Sequence, residues 1–136
     1  MNFIFLAAFT LSTTFIVMTS QTMTGGWTDQ PVNDTSIVEL AQKTVNRFNQ
    51  QSNDIAYHGF IKVLSAKSQV VAGMNYELQV LIGETDATKN HVLYDDLKKA
   101  NVQVKNGGRQ QIVTATIWSK PWENFEEITI KGVKQA

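Results

Sequence analysis

Apolar residues recur at every second position in several stretches of the chain, a pattern typical of strands that bury one face. Residues 55–65, 75–83, 111–119 and 125–133 are the stretches that we interpret as strands on this basis. Between residues 37 and 48 the apolar positions follow three- and four-residue steps, which predicts one amphipathic helix. We therefore expect an α+β domain, in which one helix is followed by four antiparallel strands that wrap around it.

Capping residues mark the start of the predicted helix. Ser36 followed by Glu39 fits a capping box, and Asp34 just upstream also suits a helix N-terminus. The polar run of residues 49–54 breaks the apolar periodicity and is expected to end the helix. The apolar face of this helix is then available to cover one face of the sheet.

The connection between the first two strands has an unusual composition. It consists of Gln69, Val70, Val71, Ala72 and Gly73. A solvated hairpin turn normally carries Asn, Asp or Ser, whereas no charged residue occurs here between positions 68 and 76. One interpretation is an exposed apolar loop that another molecule covers. The other is that the valines extend the two strands into the core, and these residues alone do not decide between the two.

Two further segments, Pro121-Trp122 and Gly25-Gly26, are also unusual in composition. Pro121 and Trp122 interrupt the chain before the last strand, because proline cannot donate to a strand ladder. In a meander both hairpin turns fall at the same end of the sheet, so Trp122 would project beside the apolar loop. Its alternative role is a cap over its own sheet.

Gly25 and Gly26 either let the backbone approach another surface closely or belong to an ordinary mobile terminus.

The N-terminal residues predict export. Residues 1–20 contain no charged side chain and several apolar runs, which is typical of a secretory signal peptide and too short for a membrane span. We place the cleavage between positions 20 and 24 and a single domain over residues 25–136. The protein is then expected to be secreted and extracellular, without membrane association. It has no cysteine, so packing alone must stabilise it.

Composition restricts the chemistry that is available. The 136 residues carry 12 basic and 12 acidic side chains and no basic stripe, which argues against nucleic acid as a partner. No serine lies in a nucleophile-elbow pattern, and no phosphate-binding glycine loop follows a strand. His91 could ligate a metal with Asp95 and Asp96 on a short helix around residues 91–99, but a solvated polar face is the better interpretation. We expect neither an enzyme nor a bound metal or cofactor.

Asn33 begins the only glycosylation sequon of the chain, Asn33-Asp34-Thr35. Export would expose this sequence to the glycosylation machinery. An unmodified asparagine is the alternative.

The combination of these features resembles the cystatins, inhibitors of papain-like cysteine proteases. Cystatins carry a glycine near the N-terminus, a Gln-x-Val-x-Gly first hairpin loop and a Pro-Trp second hairpin loop, in that order. Here the matching residues are Gly25, the segment 69–73 and Pro121-Trp122, and the likeness covers essentially the whole mature chain. The resemblance implies a cystatin-like antiparallel sheet wrapped around one long amphipathic helix.

The resemblance also implies a mode of action. The three segments would form a wedge that enters the cleft of a cathepsin L- or B-like enzyme and binds reversibly, as a monomer and without covalent chemistry. Gly73 would permit close backbone approach, the uncharged loop would cost little to desolvate, and a preformed hairpin would lose little entropy on binding. The alternative is a secreted cystatin-fold binding or structural protein without inhibitory activity.

Asn53, in the polar loop after the helix, matches a second pattern. Some secreted cystatins present an asparagine at this place, away from the wedge, to inhibit legumain, a protease that cleaves after asparagine. A polar loop that merely ends the helix explains the same residues.

The absence of cysteine departs from the commonest secreted cystatins, which have two disulfides. By resemblance, three of their cysteines would fall near Ala87, Val113 and Val133. The valines suggest that apolar packing between the last two strands replaces a bridge.

Overall fold

The computed structural model describes residues 25–97 and 102–136, so the predicted signal peptide and its cleavage positions lie outside the described residues. The helix α1 spans Thr35–Gln51. The strands are β1 (Thr28–Asp29), β2 (Ala56–Val71), β3 (Gly73–Thr88), β4 (Gln110–Lys120) and β5 (Phe125–Gln135). Short 3₁₀ turns occur at Tyr94–Asp96 and Pro121–Glu123.

The five strands form one antiparallel sheet in the order β1-β2-β3-β4-β5, and α1 packs against one of its faces. This confirms the α+β fold and the meander of four long strands. Four strands follow the helix, as predicted, and the short strand β1, which precedes the helix in sequence and pairs with β2, was not predicted. A strand of two residues is too short to be recognised from an apolar periodicity in the sequence.

The core lies between the helix and the face of the sheet that it covers. The helix contributes a stripe of side chains at three- and four-residue steps, and β3 and β4 contribute every second residue, which confirms both patterns. The fully buried sheet residues are Leu78, Val80, Ile82, Val113, Ala115 and Ile117. Each large apolar side chain buried in this way stabilises the fold by about 1.5–3 kcal/mol.

The strand β2 pairs irregularly with β3, which bends β2 towards the helix. Its register with β3 shifts at three places, all between Ala56 and Ser65. As a result Phe60, Val63 and Ala66 all contact the core at three-residue steps. The strict alternation expected for this strand was therefore wrong, because each bulge adds a residue, bends the strand and increases its twist.

The start and the end of α1 differ from the expected ones. Asp34 is the N-cap, and its Oδ1 accepts a hydrogen bond from the backbone N–H of Ser36 at 3.3 Å. The capping box with Ser36 as the cap was wrong, since Ser36 already lies inside the helix. At the other end the helix continues to Gln51, because Asn49 is buried and its side chain bonds to both backbone groups of His58 at 2.8 Å.

The region between β3 and β4 is mostly irregular. The short helix expected around residues 91–99 is a single 3₁₀ turn within the described residues, and positions 98 and 99 lie outside them. The turn expected at residues 106–108 is present, with Gly107 at φ 74°.

Val113 and Val133 are direct cross-strand partners of β4 and β5. Val113 is fully buried, whereas Val133 is largely exposed. The two valines are therefore neighbours across the last two strands, while Val133 keeps much of its surface in solvent. Within the described residues no helix is long and apolar enough to cross a membrane.

Candidate functional site

The turn between β2 and β3 is tighter than a loop of five residues. Val71 pairs directly with Gly73, so Ala72 alone lies outside the two strands. The interpretation that the valines extend the strands is therefore correct for the backbone. The side chains do not enter the core, because Val70 is 55% exposed, Val71 is half-buried and Ala72 is exposed. The tip is thus an ordered strand end that presents apolar surface to solvent.

Gly73 is required by the chain itself. Its φ of +93° lies in the left-handed region, and a Cβ at this position would clash with the carbonyl oxygen of Ser119. The backbone that approaches Gly73 closely in this structure is therefore the end of β4. The expected close backbone approach to Gly73 therefore occurs within the chain itself.

Trp118 joins the two hairpins. Its indole Nε1–H donates to the carbonyl oxygen of Ala72 at 2.9 Å, while its ring meets Phe125 edge to face with centroids 5.4 Å apart. The ammonium of Lys120 lies 4.6 Å from the centroid of the Trp118 ring. Sequence reasoning missed this residue, although its position two residues before the Lys120-Pro121 break on the outer face of a strand is a usable signal.

The second hairpin turns through the 3₁₀ segment Pro121–Glu123 and Asn124, whose φ of 54° is left-handed. Trp122 is 66% exposed. It therefore does not cap its own sheet, and its ring is available to another molecule. Pro121 is exposed beside it.

The N-terminal segment reaches the same end of the sheet. The side-chain Nε2 of Gln69 donates to the carbonyl oxygen of Gly25 at 3.1 Å. Both Gly25 and Gly26 are exposed, and a Cβ at either would meet nothing within 4 Å. The fold itself therefore does not require glycine at these two positions.

The assembled edge consists of Gly25, Gly26, the tip 69–73 and the turn 121–124, and we call it the wedge edge. Two basic side chains flank the tip, and each is paired with a carboxylate. Lys67 Nζ lies 3.1 Å from Glu77 Oε1, and Lys120 Nζ lies 3.4 Å from Glu123 Oε1. The tip between them offers apolar side chains and uncharged polar groups. Such a surface loses little free energy when water is removed from it.

The opposite end of β2 carries the loop of Asn53, which is exposed. Both neighbours of Asn53 are held in place. Lys89 donates to the carbonyl oxygen of Ser52 at 2.6 Å, and Arg109 donates to Asp54 Oδ2 at 2.6 Å.

Two other residues were singled out from the sequence, Asn33 and His91. Asn33 is exposed in the turn before α1. His91 Nδ1 is 2.9 Å from the Thr88 hydroxyl and 3.0 Å from the Asn90 side-chain oxygen rather than beside the two aspartates. Among residues 25–97 and 102–136 no three metal-ligating side chains come together.

His58 is a buried histidine that the sequence did not single out for any role. Neither ring nitrogen has a hydrogen-bond partner among the described residues, and Nε2 lies 3.8 Å from Asp54 Oδ2. Burial lowers the pKa of His58. The carboxylates of Asp54 and Glu84 oppose this shift, and the guanidinium of Arg109 adds to it.

Comparison with known proteins decides the family, because the cystatin-domain model matches residues 25–122. The chain belongs to the cystatin family. Cystatins inhibit cysteine proteases and are not enzymes. The resemblance inferred from the hairpin motifs is therefore confirmed, and inhibition of cysteine proteases is the activity shared by the relatives of this chain.

Curated relatives and a solved structure show the extent of the similarity. Onchocystatin of Onchocerca volvulus is 36% identical over 82% of this chain and 67% of its own length. Cystatin cpi-1 of Caenorhabditis elegans is 38% identical, over 81% of each chain. The crystal structure of Al-CPI matches with a TM-score of 0.73 and 46% identity, over 82% of this cystatin and all of the other chain.

Proposed function

We propose that this cystatin is a reversible, tight-binding inhibitor of papain-like cysteine endopeptidases of the cathepsin L or B type, and that the wedge edge is its binding surface. The proposal rests above all on the meeting of three separate segments at one end of the sheet. Gln69 bonds to Gly25, and Trp118 bonds to Ala72. Trp122 projects from the same end with most of its surface exposed.

The wedge edge has the composition of a protein-binding surface. Exposed tryptophan is enriched among the residues that dominate binding energy, and the uncharged tip 69–73 leaves few polar groups unpaired on burial. Because the two hairpins are fastened to each other, little conformational entropy is lost when the enzyme binds them. Tight binding is therefore expected from a rigid apolar surface rather than from charge.

The paired backbone of the tip explains why an inhibitor need not be a substrate. Val70 pairs with Met74, and Val71 pairs with Gly73, so the backbone groups of the tip are engaged inside the sheet. A protease needs an extended peptide whose backbone is free to lie in its cleft. Binding is then expected to block the cleft without presenting a cleavable bond, and no covalent step is involved.

The test compares two exposed apolar side chains at opposite ends of the sheet. Trp122→Ala should weaken papain inhibition about 30-fold or more, because truncation of an interface tryptophan costs about 2 kcal/mol or more. Leu93→Ala is the matched control, since Leu93 is 71% exposed but lies between β3 and β4 at the other end. Inhibition constants measured against papain would contradict the proposal if both variants behaved alike.

A cystatin-fold binding or structural protein without inhibitory activity is the alternative. It predicts that papain and cathepsin L keep full activity at micromolar concentrations of a correctly folded chain. Circular dichroism and thermal unfolding of the same sample would establish that the chain was folded.

The loop of Asn53 favours a second candidate function, inhibition of legumain. Asn53 is exposed while Ser52 and Asp54 on either side are held by Lys89 and Arg109. The backbone N–H of Asp54 also donates to the Ser52 hydroxyl at 3.0 Å. A protease that cleaves after asparagine would meet this side chain on a braced loop, remote from the wedge edge.

Two asparagine variants test the second site. Asn53→Ala should abolish legumain inhibition and leave papain inhibition unchanged. Asn33→Ala removes another exposed asparagine, which precedes the helix, and should change neither activity. If the parent chain does not inhibit legumain, this second function is excluded.

We further propose that the protein is secreted and acts as a monomer. N-terminal sequencing of the exported protein should find a start between positions 20 and 24, and light scattering should give the mass of one chain. Mass spectrometry of the same material would show whether Asn33 carries a glycan.

A further inference from the structure

The N-terminal segment is fastened along the edge of β2 by a series of contacts. Thr28 pairs with Ser68, and the side-chain Nε2 of Gln30 donates to the Ser68 hydroxyl at 2.9 Å. The backbone N–H of Gln30 donates to the carbonyl oxygen of Ala66 at 2.9 Å. These contacts fix the direction in which the chain approaches the wedge edge.

Closer to the tip, side chains of β2 contact the N-terminal segment. The ammonium of Lys67 lies 5.2 Å from the centroid of the Trp27 ring, and Gln69 then reaches Gly25. Within residues 25–97 and 102–136 the bond from Gln69 is the only hydrogen bond found for Gly25. Gly26 separates these two anchors and has open space around it. A glycine pair in open space is free to adopt many conformations unless such a bond restricts it.

We propose that Gln69 is a positioning residue, which holds the Gly25 segment beside the hairpin tip and does not itself make the decisive contact with the protease. This inference rests on the proposed function, since it concerns the same surface. The side-chain Nε2 of Gln69 already donates a hydrogen bond within the chain. Its loss would free the glycine pair, and the protease would then have to order that segment on binding.

A double-mutant cycle separates positioning from direct contact. Gln69→Met keeps the length of the side chain but removes the amide, and should raise the papain inhibition constant about two- to tenfold, the value of one hydrogen bond. The same substitution in a chain that begins at Trp27, which keeps the helix and all five strands, should have no further effect. Gln50→Met, on an exposed position of α1, is the matched control and should change nothing.

Dynamics supply a readout that does not depend on inhibition. The ¹⁵N heteronuclear NOE of Gly26 should fall in Gln69→Met, while the thermal unfolding temperature stays the same. An unchanged NOE, or an equal loss of affinity in the full and shortened chains, would overturn the positioning role. Lack of papain inhibition by the parent chain would instead contradict the proposed function, and the NOE would still show whether Gln69 orders the segment.

Discussion

The two ends of the sheet are held by different kinds of contact. In the tip 69–73 of the wedge edge, Gly73 packs against a backbone carbonyl and Ala72 accepts a hydrogen bond from an indole N–H, so shape and neutral hydrogen bonds fix the geometry. At the other end, which we call the Asn53 end and which comprises residues 52–58 with Lys89 and Arg109, two cations brace the loop beside the buried His58. The contacts of the tip 69–73 should therefore be insensitive to pH and salt, whereas the Asn53 end should respond to both.

The largest effect is expected from a side chain at Gly73. Gly73→Ala combines a left-handed φ with a clash against the Ser119 carbonyl, and should lower the free energy of unfolding by about 3 kcal/mol. Gly107→Ala is the matched control, because Gly107 also has a positive φ of 74° but open space around it, and should cost about 1 kcal/mol. Urea unfolding measures both values, and equal costs would show that contact with β4 is unimportant.

The next largest effect concerns the bond between the hairpins. Trp118→Phe removes the N–H that Ala72 accepts and should cost about 1 kcal/mol of stability together with some papain affinity. Trp122→Phe removes an N–H from a ring that is mostly exposed, so its stability should equal that of the parent. Thermal unfolding of the two variants gives the comparison. A Trp118 variant as stable as the Trp122 variant would mean that the hairpins are not fastened through this bond.

Acid should lower the free energy of unfolding through protonation of His58, which is buried at the Asn53 end. Because burial lowers the pKa of His58 below its ordinary value of 6.5, the unfolded chain takes up this proton at a higher pH than the folded chain. Stability is then complete above pH 6.5 and falls as the pH drops towards the folded pKa, by at most about 1.4 kcal/mol per pH unit. Denaturant unfolding at about pH 7.5 and pH 5 measures this loss.

Two histidine variants identify the responsible group. His58→Gln should reduce the loss of stability between these pH values, and His91→Gln, a change at an exposed histidine, should leave it as in the parent. A parent chain whose stability is the same at both pH values would contradict the role assigned to burial of His58.

The smallest effect is expected from the ion pair of Arg109 and Asp54. Both side chains are partly exposed, so Arg109→Gln should cost only about 0.2–1 kcal/mol and the cost should shrink in high salt. Papain inhibition should not change. Lys43→Gln breaks a comparable pair with Glu126 elsewhere and is the control for a general effect of charge. Unfolding at low and high salt measures both, and a salt-independent cost would point to packing instead.

The long elements could be predicted because their patterns are local. The stripe of α1 and the alternation in β3 and β4 both follow from burial of one face, and the structure has them as expected. The predicted ends of the helix and strands were less accurate than their positions in the sequence. Val71 continues β2 because its backbone pairs with Gly73, and backbone pairing does not depend on whether a side chain is apolar.

The features that were missed depend on contacts between distant parts of the chain. The bond from Trp118 to Ala72 needs the register of β3 against β4, which no local pattern specifies. His58 and Tyr57 are both buried although they are neighbours on a strand, because the register shifts beside them. The three motif segments were identifiable from resemblance alone, but the side chains that fasten them together were not.

The most direct test of the wedge edge is a titration of papain with the mature chain. We predict a stoichiometric loss of activity that returns on dilution, with residues 69–73 still uncleaved when the recovered inhibitor is examined by mass spectrometry. Full papain activity at micromolar inhibitor, or recovery of a chain cut within residues 69–73, would contradict the account.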